Sequence, residues 1–183
     1  MEYKIRMARI TDSDEILKIY EPYITDTDIT FEIDVPSAED FRIRTENIMK
    51  QYPYLVCECY GKIVGYAYAS KHRERAAYKY SVDLSIYIMP EYHRLGIGRK
   101  LYNCLFDILK RQGFYTAYAA IALPNENSIA LHKIMGFSEV GVFHNVGYKK
   151  GNWHDVIWLE KVLNEYENAP GIIKNINDIG KII

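Results

Sequence analysis

Leu84-Ser85-Ile86-Tyr87-Ile88-Met89-Pro90, followed after Glu91 and Tyr92 by His93-Arg94-Leu95-Gly96-Ile97-Gly98, is the stretch on which the fold turns. From Ser81 to Met89 the apolar Val82, Leu84, Ile86 and Ile88 alternate with Asp83, Ser85 and Tyr87, which is the period of a strand with two unlike faces. Pro90 stops it. Beyond Gly98, the residues Leu101, Leu105, Ile108 and Leu109 form a helical stripe that Gly113 terminates. A strand therefore delivers the chain through a glycine turn to a helix N-terminus, where unpaired N–H groups and the helix dipole favour an anion. A dinucleotide fingerprint would need a third glycine where Leu101 stands and an acidic residue where Tyr118 stands. A nucleotide-hydrolase loop would need Gly-Lys-Ser/Thr where the chain reads Gly98-Arg99-Lys100. Both fail, and on the glycines alone a tight turn holding nothing remains open.

Working outward, Tyr3 to Ile10 reads as a strand, with Thr11-Asp12-Ser13-Asp14 supplying acceptors to cap the next helix. That helix carries Ile16, Ile19, Tyr20 and Tyr23 on one stripe, and Pro36-Ser37 opens a second with Asp40 completing a capping box. Leu55–Tyr60 and Ile63–Ser70 form a hairpin about Gly61-Lys62. Ala117–Leu123 is a strand, a short helix follows Pro124 and ends near Gly136, and Phe137–Val146 and Trp153–Val162 are closing strands. The order β-α-α-β-β-β-α-β-α-β-β makes one α+β unit over residues 1–163. Residues 164–183, with Ile172, Ile173, Ile176, Ile179, Ile182 and Ile183, form a tail that docks or stays partly flexible.

In a chain of 183 residues, 49% hydrophobic and with a net charge of -1, one domain with one active site is expected and no broad positive field exists for nucleic acid. The start lacks a basic region followed by an apolar run, and no stretch reaches membrane-span length, so no membrane partner and a cytoplasmic location are expected. Cys57 and Cys59 fall on one face of a strand and, with Cys104, read as small core side chains in a reducing compartment. They are too few for a metal site, and no metal is expected.

The glycine stretch resembles the pyrophosphate loop of the GNAT N-acetyltransferases, Arg/Gln-x-x-Gly-x-Gly/Ala after a strand and before a helix, with His93 departing from the pattern. Leu123-Pro124-Asn125-Glu126-Asn127-Ser128 and Leu131-His132-Lys133-Ile134-Met135-Gly136-Phe137 resemble the superfamily's asparagine turn, short helix and Gly-Phe ending. Within it, Ile19-Tyr20-x-x-Tyr23-Ile24, Thr30-Phe31-Glu32, Gly65-Tyr66-Ala67-Tyr68-Ala69, Arg73-x-Arg75-x-Ala77-Tyr78 and Gly147-Tyr148-Lys149-x-Gly151-x-Trp153-x-Asp155-Val156 are similar to the phosphinothricin and methionine sulfone/sulfoximine N-acetyltransferases.

The resemblance implies a twisted, mostly antiparallel mixed sheet of about seven strands with about four helices, acetyl-CoA as co-substrate, a small amino-acid-like amine as acceptor, and a homodimer. It implies that Ile86, Tyr87 and Ile88 hold the pantetheine arm, that Arg94, Leu95, Gly96, Ile97, Gly98 and Arg99 hold the pyrophosphate, and that Asn125 and Ser128 assist. Phe31, Arg73, Arg75 and Tyr78 would line the acceptor pocket; the plain alternatives are core aromatics and solvated loop charges. Asp83 stands where the subfamily has a glutamate that takes the amine's proton; shorter by a methylene, it implies a water relay, against the alternative of a solvated carboxylate on a polar face. His132 would protonate the departing thiolate or anchor a water, or simply pack. The N–H of Ile86 would stabilise the oxyanion. The rival readings are an acetyltransferase for another amine and an acetyl-CoA-binding module without chemistry.

Overall fold

The computed structural model describes residues 2–180; Met1 and residues 181–183, Ile182 and Ile183 of the tail among them, lie outside the described residues. Seven strands and four helices follow one another in the expected order: β1 Tyr3–Met7, α1 Ser13–Thr25, α2 Ala38–Met49, β2 Tyr54–Cys59, β3 Lys62–Lys71, β4 Ser81–Ile88, α3 Ile97–Gln112, β5 Thr116–Ala122, α4 Glu126–Ile134, β6 Ser138–Lys149 and β7 Asn152–Val162. The strands make one sheet in the order β1-β2-β3-β4-β5-β7-β6. Every neighbouring pair is antiparallel except β4 with β5. The mixed, mostly antiparallel fold implied by the resemblance is the one observed.

The alternation along β4 sorts its side chains onto two cores. Val82, Leu84, Ile86 and Ile88 meet Leu101, Tyr102, Leu105 and Leu109 of α3, while Tyr87 joins Ile16, Ile19, Tyr20 and Phe41 of the α1–α2 layer. The face expected to be polar is instead half covered by aromatic rings, with Tyr87 lying 4.8 Å from Tyr20, 5.1 Å from Tyr23 and 5.4 Å from Tyr66. Tyrosine makes this possible because its ring buries like a hydrophobe while its hydroxyl finds a polar partner. Cys57 and Cys59 are buried in the α3-side core, and burial pushes the Cys57 thiol up to about 11, which suppresses the reactive thiolate.

Local chemistry shifts several boundaries. β1 stops at Met7 because Asp12 is drawn back to Arg6, with Oδ2 2.6 Å from Nη1, and accepts the Arg9 N–H at 2.7 Å. Asp12 consequently makes no side-chain cap on α1, contrary to expectation. The β2–β3 turn is Tyr60-Gly61, one residue earlier than the spacing suggests, since both have positive φ (48° and 79°) as a right-twisted two-residue hairpin demands. β6 continues past Val146 because a bulge between Phe143 and Gly147 absorbs the register change. Asp155 pins that bulge by accepting the Asn145 N–H at 2.7 Å and bonding His144 at 2.8 Å. In the tail, Ile176 and Ile179 are buried in the α3-side core, whereas Ile172 stands exposed.

Candidate active site

The parallel rung between β4 and β5 is short. It runs from Ser81 opposite Thr116 to Asp83 opposite Tyr118 and then ends, while β5 goes on pairing with β7 to Ala122. The Met89 N–H bonds Val64 on the β3 side and the Tyr80 carbonyl accepts from Tyr115 on the β5 side, so alternation turns the backbone groups of Leu84, Ile86 and Ile88 towards the gap. Main-chain groups left unpaired in this way need partners. The cleft that opens there is lined by Leu84, Ser85, Ile86 and Tyr87 of β4, Ala119, Ala120 and Ile121 of β5, and Ile29, Tyr102, Asn125, Ser128 and His132.

Beyond β4 a 3-10 turn at Pro90–Tyr92 leads into the glycine stretch. Arg94 and Gly96 both adopt left-handed backbone conformations, with φ of 60° and 80°. Gly96 is the N-cap of α3 and supplies no side-chain cap. The first intrahelical bond is from Lys100 N–H to the Gly96 carbonyl, so the N–H groups of Ile97, Gly98 and Arg99 have no acceptor within the helix. A Cβ at Gly96 would meet nothing within 4 Å; the residue is needed there for its φ and for the open approach it leaves to the amides. Gly98 is different: a Cβ would come within 3.0 Å of Leu131, so its glycine seats α4 against α3. Arg94 and Arg99 are exposed at the same turn, suitable for anionic oxygens.

His93, the residue that departs from the family pattern, points back at the strand. Its Nε2 is 2.8 Å from the Ile88 carbonyl, which also accepts the Tyr23 hydroxyl at 2.5 Å. Ile88 therefore has its carbonyl already satisfied, and what it has left for the gap is its N–H. Asn125 caps α4 by accepting the Ser128 N–H at 3.2 Å, which ties both residues to the cleft wall.

His132 is buried in the wall. Its Nδ1 lies 2.7 Å from the Ser128 carbonyl, which can only accept, so that nitrogen carries the proton; Nε2, 2.8 Å from the Tyr102 oxygen, accepts the hydroxyl hydrogen. Burial holds the ring below the usual histidine range, in keeping with a neutral imidazole. Both ring nitrogens of His132, which lines the cleft, are engaged, one by the Ser128 carbonyl and the other by the Tyr102 hydroxyl.

The acceptor-side residues gather on the other side of the last rung. Asp83 Oδ1 lies 2.6 Å from His72 Nδ1, a partner that sequence reasoning missed because His72 falls outside the motif positions. Burial raises the Asp83 carboxyl, with the bond to His72 and the charge of Arg73 pulling the other way. His72 stacks on Tyr118 at 4.5 Å and meets Tyr78 at 5.9 Å, and the Arg73 guanidinium lies over Trp158 at 5.4 Å from the ring centre. Arg75 is exposed at the head of the next 3-10 turn. Phe31 packs against Gly147, where a Cβ would collide with its ring at 2.2 Å, and lies 6.1 Å from His154. Lys149, also missed, is buried and ties the segment carrying Phe31 to β6 by donating to the Ile24 and Thr30 carbonyls at 2.8 Å each.

A strand pair that parts beside an uncapped helix N-terminus, with a carboxylate at the parting point, suits an elongated ligand with an anionic group at one end. Residues 5–158 match the profile of the acetyltransferase (GNAT) domain. The chain belongs to the GNAT acetyltransferase family and is an acetyl-CoA-dependent N-acetyltransferase resembling the phosphinothricin acetyltransferases. It is 34% identical to the phosphinothricin N-acetyltransferase of Streptomyces viridochromogenes over 153 residues, 84% of each chain. It is 36% identical to the L-methionine sulfoximine/L-methionine sulfone acetyltransferase of Salmonella typhimurium over 115 residues, 63% of this chain and 67% of that one. The crystal structure of a phosphinothricin acetyltransferase from Sinorhizobium meliloti in complex with acetyl-CoA superposes with a TM-score of 0.88 at 31% identity, covering 96% of this chain and 99% of that one. None of the described helices is long and apolar enough to cross a membrane.

Proposed function

We propose that this chain acetylates the α-amino group of a small amino-acid-like substrate of the phosphinothricin or methionine sulfone/sulfoximine kind. The observation that carries the reading is the parting of β4 from β5 after Asp83, which aims unpaired strand amides into a cleft beside the open α3 N-terminus. The residues present fit acetyl-CoA: the Ile86 carbonyl and the Ile88 N–H would pair its amide arm. The amides of Ile97, Gly98 and Arg99, with Arg94, would hold its pyrophosphate. When bound, it supplies a thioester carbonyl open to a nucleophile, and the Ile86 N–H is the donor for that carbonyl's oxygen.

On the acceptor side, the aromatic walls Tyr78, Tyr118 and Trp158 favour a compact substrate, and Arg73 offers a fork for a carboxylate, phosphinate or sulfone oxygen. The ammonium of an amino acid has no lone pair until it loses a proton, and the Asp83 centre is where that proton goes. His132 is a positioning residue, fixing Tyr102 at the cleft wall. The protein works in the cytoplasm, where free Cys57, Cys59 and Cys104 stay reduced. It pairs with a second copy through the exposed apolar Val140, Phe143, Val146, Tyr148 and Trp153 of the β6–β7 hairpin. Sedimentation tests the pairing, and a monomer at micromolar concentration would refute it.

The purified chain, given acetyl-CoA and a panel of phosphinothricin, methionine sulfone, methionine sulfoximine, the common amino acids, a polyamine and a short peptide, should release free thiol with the amino-acid-like members. Release with the polyamine or peptide alone would overturn the substrate class. Binding of acetyl-CoA with no release across the panel would identify a module without chemistry.

A further inference from the structure

Asp83 does not stand alone. His72 lies on the chain just past β3, its side chain 11% exposed against 31% for Asp83, with Nδ1 2.6 Å from the carboxylate. An ionised carboxylate can only accept, so Nδ1 carries the ring proton and the neutral tautomer leaves its lone pair on Nε2, across the ring from Asp83. Among the described residues Nε2 makes no hydrogen bond. The ring is held flat on Tyr118 at 4.5 Å and 19°, and edge-on to Trp158 at 6.1 Å and 80°. Tyr118 is the β5 partner of Asp83 on the last paired rung, so the ring rests at the point where the strands part.

Resting on the proposed function above, we propose that His72, held by Asp83, is the group that takes the proton from the substrate amine. The shorter aspartate would then work through the imidazole, in place of the water relay that its length suggested. An N–H bond of the ammonium breaks, its electron pair staying on nitrogen and its proton passing to His72 Nε2, where the imidazolium is stabilised by Asp83. The nitrogen pair forms the new C–N bond to the acetyl carbon, the C–S bond breaks with its pair going to sulfur, and the second nitrogen proton goes to that thiolate. His72 then yields its proton to water. Ammonium and thioester thus give amide, thiol and one proton, and no further reactant is needed. An imidazole suits the task because its neutral ring, donating through Nδ1 to Asp83, keeps on Nε2 a lone pair that can accept a proton.

The test compares His72→Asn with Asp83→Asn and the wild-type chain, using L-methionine sulfone and phosphinothricin as acceptors. Asparagine keeps an N–H donor for Asp83 but has no basic nitrogen, so kcat/KM should fall about 100-fold or more with acetyl-CoA affinity held within about twofold. The loss should shrink for a less basic amine of the same size, which carries a free lone pair at neutral pH; a merely structural defect would cost both amines equally. His72→Gln, expected to behave alike, serves if the asparagine chain does not fold. If His72→Asn keeps turnover near wild type while Asp83→Asn loses it, His72 is not the acceptor and the proposed function still stands. A wild-type chain that acetylates no amine would sink both.

Discussion

The two ends of the cleft are built on different principles. At the α3 end the ligand-holding groups are main-chain amides, aimed by the left-handed Arg94 and Gly96 and by a helix that begins without a side-chain cap. At the Asp83 end the working groups are side chains brought together from β4, the residues after β3, β5 and β7. A backbone site depends on conformation and tolerates changes of side chain, whereas a side-chain site is lost when one functional group goes. Binding and chemistry should therefore fail separately.

The largest expected effect is at the side-chain end. Asp83→Asn keeps the shape but cannot stabilise an imidazolium or hold a proton itself, so kcat should fall by about 10²- to 10⁴-fold. Calorimetry should find acetyl-CoA affinity nearly unchanged, and a matching loss of affinity would show that the two ends are not independent. Next comes Gly96→Val. A β-branched residue at φ 80° is strained by about 1–3 kcal/mol, although space exists for its Cβ. The strain can be relieved by turning the amides away, so acetyl-CoA should bind about tenfold or more weakly, and unimpaired binding would take the turn out of the site.

The same division explains what could be read from the sequence. Gly96, Gly98 and the alternation of β4 are local features, and the order of strands and helices followed from equally local patterns. The end of the β4–β5 rung at Asp83 is a property of pairing between residues about 35 apart in sequence, which no local period reveals. His72 lay beside Arg73 and Arg75 in plain view, yet only the β3–β4 register, Ser70 opposite Asp83, brings it to the carboxylate. Lys149 looked like one motif residue among several; its burial under Ile24 and Thr30 depends on how the segment after α1 crosses β6. The bond between Tyr102 and His132 joins residues 30 apart and could not be known before α3 and α4 were packed.

His132 gives a smaller effect, on stability. Its folded form holds the ring neutral, below the usual histidine range, so below about pH 6.5 the unfolded chain binds more protons than the folded one. Stability from this residue is present in full above that pH and is lost as pH falls, with a slope of at most about 1.4 kcal/mol per pH unit. Denaturant unfolding of wild type and His132→Gln between pH 8 and about pH 5 isolates the contribution as a difference in slope. Parallel curves would mean that the ring is not held neutral, and that the cleft wall is softer than its two hydrogen bonds imply.

The smallest effect should come from His93→Gln, and it is the sharpest test of the comparison. Histidine at this position departs from the family pattern, and if side chains held the pyrophosphate the departure would have weakened binding, so restoring glutamine would tighten it. In this structure His93 turns away from the turn to the Ile88 carbonyl, which the Tyr23 hydroxyl also satisfies. A glutamine amide can donate to the same carbonyl, and the loss of a single shared hydrogen bond is worth about 0.5–1.5 kcal/mol at most. Acetyl-CoA affinity and kcat should both stay within about threefold of wild type. A tenfold gain in affinity would instead place side-chain contacts on a level with the backbone at this end of the cleft, and the division between the two ends would not survive it.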